Sequence, residues 1–261
     1  MTEPGRQADT ADAGDGLGLR PLTARSVILS VLLGTHPPLL PVRSLVRTGE
    51  LFGISEGTAR VALSRLVADG EVVTESGRYR LSERLVARQR RQDEGRTPAT
   101  RPWRGSWEMA VAKSDVHGAS GRSAWGAALA GLRLAELRSG VWTRPANLRR
   151  EWPDSATRHT WRFEARPVSR PDEARDLAAG LWDLDGWATQ AEALLDLLNV
   201  DGQPAHRFVV TAAMVRHLQD DPLLPASLLP PRWPGTRLRE AYATYEQELG
   251  DLLRQERTRH G

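Results

Sequence analysis

The stretch Leu51-Phe-Gly-Ile-Ser-Glu-Gly-Thr-Ala-Arg-Val-Ala-Leu-Ser-Arg-Leu-Val-Ala-Asp-Gly70 decides how the chain is read. Gly53 ends one amphipathic run, Ile54 to Gly57 form a turn, Ser55 is a natural N-cap, and Gly70 breaks the next run. A helix from Ser55 to about Asp69 follows. Ala59, Leu63, Leu66 and Val67 share one arc of its wheel and are expected to face a core. Thr58, Val61, Ser64 and Arg65 point the other way, with Arg60 on the flank. That outer face is small, hydroxylated and basic. A helix entering the DNA major groove needs small residues for close approach, donors for base edges, and arginine for guanine or phosphate.

The flanks extend the pattern. Upstream, Thr23 caps a helix carrying Val27, Ile28, Val31 and Leu32, which His36-Pro37-Pro38 stops; Val42 to Phe52 is a second helical stretch. Downstream, Val72 and Val73 begin a strand, Ser76-Gly77 makes a turn, and Tyr79 and Leu81 alternate with Arg78 and Arg80. The expected outcome is a two-stranded wing with its arginines outward. The segment 21–96 thus reads as a winged helix-turn-helix, with Ser55, Thr58, Arg60, Ser64, Arg65, Arg78 and Arg80 as its double-stranded DNA contacts. Basic residues outnumber acidic ones between Arg60 and Arg101, which favours a phosphate backbone.

The rest of the chain divides by composition. The charged run Arg88 to Arg96, followed by Pro98 and Pro102, marks a linker; residues 103–170 and 171–261 are two further expected domains, and 1–20 an acidic, Gly-rich disordered tail. No cysteine is present, so disulfides and thiolate chemistry are excluded. The net charge is only +3, and Lys113 is the single lysine. No apolar run reaches the roughly 20 residues of a spanning helix. These features predict a cytoplasmic protein with no membrane partner, cofactor or bound metal.

In the central segment, strands at 106–112, 141–143 and 160–165 and a helix at 123–137 predict a small α+β domain. Asp115, at the end of the first strand, is the nearest carboxylate to a nuclease-type metal position. A metal-dependent nuclease or hydrolase that docks through its head is therefore the rival reading, although no second carboxylate supports it. All nine tryptophans lie outside the winged helix, and most are expected in the core. Trp142, Arg144 and Arg149 are the candidates for binding a small-molecule effector, with Arg150 a further arginine for its phosphates or carboxylate. The last segment reads as helical, interrupted by the Pro-rich stretch Asp221 to Gly235, with Leu223, Leu224, Leu228 and Trp233 as anchors.

Three motifs carry a resemblance. The stretch Leu51 to Gly70, the segment Leu137-Arg-Ser-Gly-Val-Trp-Thr-Arg-Pro145, and the segment Asp221-Pro-Leu-Leu-Pro-Ala-Ser-Leu-Leu-Pro-Pro-Arg-Trp-Pro-Gly235 together resemble the PaaX-like regulators, the phenylacetic acid catabolism repressors. The resemblance implies an α+β protein with a winged helix-turn-helix head, a central ferredoxin-like domain akin to a small CRISPR-associated endonuclease, and a mostly helical C-terminal domain. It also implies a homodimeric repressor that leaves its operator on binding an effector such as an acyl-CoA. Between Trp107 and Trp125 the chain departs from the family pattern: Gly118 to Ser123 is small and Gly-rich.

Overall fold

The computed structural model describes residues 17, 19–113, 118–168, 171–200 and 202–259. The chain mixes helices with two antiparallel sheets. It splits into two compact units, one formed by residues 1–96, 189–220 and 234–261, the other by 97–188 and 221–233. The C-terminal segment is shared out between the two units.

The first unit begins with α1 (Ala24–Leu33), β1 (Leu39–Pro41), α2 (Val42–Glu50) and α3 (Glu56–Ala68). The hairpin β2 (Val72–Glu75) and β3 (Arg78–Leu81) follows, and then α4 (Glu83–Arg96). Thr23 closes a capping box with Ser26 at the start of α1, satisfying amides that have no helical partner. Ile28, Leu32, Leu45, Leu63, Leu66, Val72, Leu81 and Leu85 close one buried cluster among these elements. Leu39 to Pro41 pair with β3, so the sheet has three strands in the order β1-β3-β2 rather than the two expected. The two-residue turn follows from Ser76 and Gly77, both at positive φ, which suits the twist of a tight hairpin.

Helices α9 (Pro204–Gln219) and α10 (Gly235–Arg259) complete this unit, together with the second half of α8 (Leu184–Val200). Gly95 of α4 lies against the Leu218 carbonyl, where an added Cβ would come within 2.7 Å, so only glycine permits that approach. Phe208 and Tyr245 close a second cluster with Val27, and Phe52 packs on Phe208 at 4.7 Å between ring centroids. The buried Gln89 amide donates to the carbonyls of Leu33 and Thr35, both at 2.9 Å. Those carbonyls lie at the end of α1, where helical partners run out.

The second unit is built on β4 (Trp107–Ala112), α5 (Gly118–Gly131), β5 (Ala135–Arg138), β6 (Val141–Pro145), α6 (Asp154–Thr157) and β7 (Thr160–Ala165). The chain order is β-α-β-β-α-β and the sheet order is β5-β6-β4-β7. Ala110, Trp125, Leu129, Leu132 and Leu134 form the core beneath one sheet face. Helix α7 (Pro171–Leu181), the start of α8 and the loop 221–233 pack a further cluster around Trp107, with Leu184, Leu224 and Leu228. Leu223, Leu224 and Leu228 are buried, as expected of anchors in the Pro-rich stretch.

Candidate nucleic-acid interface

Helix α3 is held in place at both ends. Ser55 accepts a hydrogen bond from the Thr58 amide, and the two hydroxyls lie 2.9 Å apart. At the other end Gly70, at φ 66°, takes the left-handed conformation that terminates a helix. Arg25 of α1 bonds Asp69 at 2.9 Å and Glu71 at 2.6 Å, tying the first helix to the end of α3. Exposed pairs of this kind stabilise weakly; the register of α3 rests on Ala59, Leu63 and Leu66, all essentially fully buried.

The opposite face is open. Thr58, Arg60, Val61, Ser64 and Arg65 are all exposed, Val61 to 53%. Thr58, Val61 and Arg65 line one shallow hollow with Thr23, Ala24 and Arg25. Arg60 pairs with Glu56 one turn back at 2.7 Å, and Ser64 donates to the Arg60 carbonyl at 3.1 Å. Among the described residues no hydrogen bond or ion pair engages the Arg65 side chain, so its donors point into solvent. Val67 departs from its expected place in the core arc: it is 39% exposed, because the supporting core ends at Leu66.

On the hairpin, Arg78 and Arg80 share the side of β3 opposite Leu81, which is buried. Arg78 is exposed. Arg80 is half-buried and held by Glu75 at 3.0 Å, so a ligand phosphate would compete with that carboxylate. Ser55 already serves its own helix as a cap, which leaves its hydroxyl less available for outside contacts.

The effector candidates have different surroundings. Arg144 is 0% exposed, and its guanidinium donates to the carbonyls of Pro145, Arg133 and Leu223 and to Asn147 Oδ1. Burial, with Arg150 nearby, pushes its pKa down to about 9. The donors of Arg144 are thus taken up in fastening the Leu223 turn, and its expected role in effector binding gives way to a structural one. Trp142 stands edge-on to Trp125 at 6.3 Å in the same domain core, and Arg149 is on the surface. Arg150, also expected to take an effector phosphate or carboxylate, is instead mostly buried and grips both oxygens of Glu108, at 3.1 and 2.8 Å. No short-range pattern joins residues so far apart in the chain.

Of the tryptophans, Trp107, Trp125 and Trp187 are buried, as expected of core aromatics, whereas Trp161 is 59% exposed. Asp115, the rival metal position, lies outside the described residues. Among the described residues no three His, Asp or Glu side chains gather into a metal-binding group. Nor is any described helix long and apolar enough to cross a membrane.

Residues 23–85 match the model of the PaaX-like protein family, and residues 182–255 match that of the PaaX-like protein C-terminal domain. The chain belongs to the PaaX-like family, whose members are typically transcriptional regulators. It is similar in structure to the uncharacterized protein Rv0674 from Mycobacterium tuberculosis, with 45% identity and a TM-score of 0.74, over 88% of this chain and 97% of that one. No curated protein matches the chain.

Proposed function

We propose that this chain is a DNA-binding transcriptional regulator in which the segment from α1 to β3 acts as a winged helix-turn-helix and α3 as its recognition helix. The carrying observation is the outward face of α3: Thr58, Val61, Ser64 and Arg65 are exposed together while the opposite side is locked into the core. Arginine at such a position reads guanine O6 and N7 or takes a phosphate, and the Val61 methyls suit contact with thymine. Arg60, Arg78 and Arg80 flank that face and serve the backbone. The β-α-β-β-α-β order of the second unit suits a ferredoxin-like domain.

In the finer reading the protein is a cytoplasmic homodimeric repressor, released from its operator by a small-molecule effector such as an acyl-CoA. A two-fold dimer would set two copies of α3 one DNA turn apart, about 34 Å, on a palindromic site.

The test is fluorescence anisotropy of the full chain on DNA from its own upstream region, across a salt series. Binding should weaken steeply with salt and fall by about ten- to a hundredfold in an Arg60→Ala, Arg65→Ala double variant. Equal affinity of wild type and variant for the same DNA would end the reading.

A further inference from the structure

Helix α1 touches α3 through Ile28 and Leu32, and its last turn, from Ser30 to Thr35, forms one wall of a cavity of about 230 Å3 that is partly open to solvent. The other walls come from α4, α9 and α10, all in the first unit. Phe208, Val215, Tyr242, Tyr245 and Leu249 make much of the lining apolar or aromatic. An engineered apolar cavity of about 150 Å3 holds benzene, so this one has room for a ring or a short acyl chain.

The polar side of the lining is mainly cationic: Arg88, Arg96 and Arg216 face it with Glu246. Arg96 is matched: it bonds Glu246 and Asp93 and lies 4.7 Å over the Tyr242 ring. Arg88 differs. Among the described residues no hydrogen bond or ion pair engages its guanidinium. Burial, then the charges of Arg20 and Arg91, push its pKa below the ordinary arginine value, with the Glu71 carboxylate only partly offsetting them. Arg216, also on the lining, is lowered by burial and by Arg20 and Arg88. Gln92, one turn from Arg88, is only 8% exposed and lines the cavity, and among the described residues its amide makes no hydrogen bond. Like charges gathered at one wall repel one another. An anion would relieve that repulsion.

We propose that this cavity binds a small organic carboxylate, its charge held by Arg88 and Gln92 and its aromatic or short acyl body laid against Phe208, Tyr242, Tyr245 and Leu249. Its regulatory consequence rests on the DNA-binding reading. The ligand would touch α1, against which α3 is packed, and α4, which leads out of the β3 hairpin. Occupancy would thereby bias the orientation of the recognition helix. The site differs from the one expected around Arg144, and no sequence motif marks it.

The test is calorimetric titration of the full chain without DNA, using benzoate and octanoate as probes and acetate and octanamide as controls. Octanoate or benzoate should bind, with each control at least about tenfold weaker, since acetate lacks the apolar body and octanamide the charge. Arg88→Gln should weaken the probe by about tenfold or more with an unchanged circular dichroism spectrum. Gln92→Leu, whose shape suits a buried site, should weaken it by about threefold and guards against a misfolded first variant. Binding of neither probe, or undiminished binding in both variants, would overturn the site. Adding the bound probe to the anisotropy assay then separates the two claims: if wild type binds DNA but the probe leaves that affinity unchanged, the regulatory consequence falls, whereas absence of DNA binding removes the reading beneath it.

Discussion

On α3, Arg60 and Arg65 stand in solvent, one loosely paired with Glu56; on β6, Arg144 is wholly enclosed among carbonyls. The three look alike in the sequence, each set among small or apolar neighbours. What separates them is how their donors are occupied. An enclosed guanidinium must satisfy its donors within the protein or carry the full desolvation penalty. One in solvent keeps its donors available to a partner. A recognition surface therefore has to be sought where arginine is under-used, and a packing role where it is saturated.

The largest effect that sharpens this contrast is expected at Arg144. Arg144→Met should remove about 3 kcal/mol or more of stability in urea unfolding, because the carbonyls of Leu223, Arg133 and Pro145 lose a buried donor. A loss within about 0.5 kcal/mol, the usual range for surface substitutions, would break the contrast.

Next in size, Arg60→Ala with Arg65→Ala should lower DNA affinity by about ten- to a hundredfold and flatten its salt dependence, while leaving the urea midpoint nearly unchanged. Anisotropy and unfolding on one preparation check both halves. A large fall in stability would mean that these arginines belong to the packed set.

Burial also sets a pH dependence in the first unit. Tyr242 and Tyr245 have pKa values raised to about 12, chiefly by burial, from an ordinary value of 10.0. Below pH 10 both phenols are neutral, folded or unfolded, and stability is unaffected. Between pH 10 and 12 only the unfolded chain ionises, so stability should fall by up to about 1.4 kcal/mol per pH unit for each tyrosine. Arg144 runs the opposite way over part of this range, since a depressed arginine pKa makes stability rise with pH. The discriminating quantity is thus the difference between wild type and a Tyr242→Phe, Tyr245→Phe variant, whose unfolding midpoint should decline less from pH 9 to pH 11.5. Parallel declines would count against tyrosine burial.

The smallest effect concerns Val61, exposed beside Arg65. Val61→Ala should cost about 1 kcal/mol or less of DNA binding, confined to operators that present a thymine methyl there, with no loss of stability. A uniform change on all operators would remove any base-reading role for Val61.

Much of the first unit was legible because its signals are local. The expected helix from Ser55 to Asp69 corresponds to α3 at Glu56–Ala68, since a cap and a left-handed glycine act within one turn. The same holds for Thr23 and for the Ser76-Gly77 hairpin. Val67 was misplaced because its exposure depends on where the neighbouring elements end. The strand Leu39–Pro41 was missed because three residues carry no usable period, and they become a strand only by pairing with β3.

What the sequence by itself determined was the set of elements, the inward and outward faces of α3, and the family motifs. These depend on neighbours three or four residues apart, where geometry is fixed by the backbone period. Tertiary structure alone decided that Arg144 serves packing, that the C-terminal segment divides between two units, and that Arg88 and Gln92 meet Tyr242 at a cavity. Burial and partners far apart in the chain, 79 residues for Arg144 and Leu223, set these outcomes, and no repeat in the sequence encodes such distances.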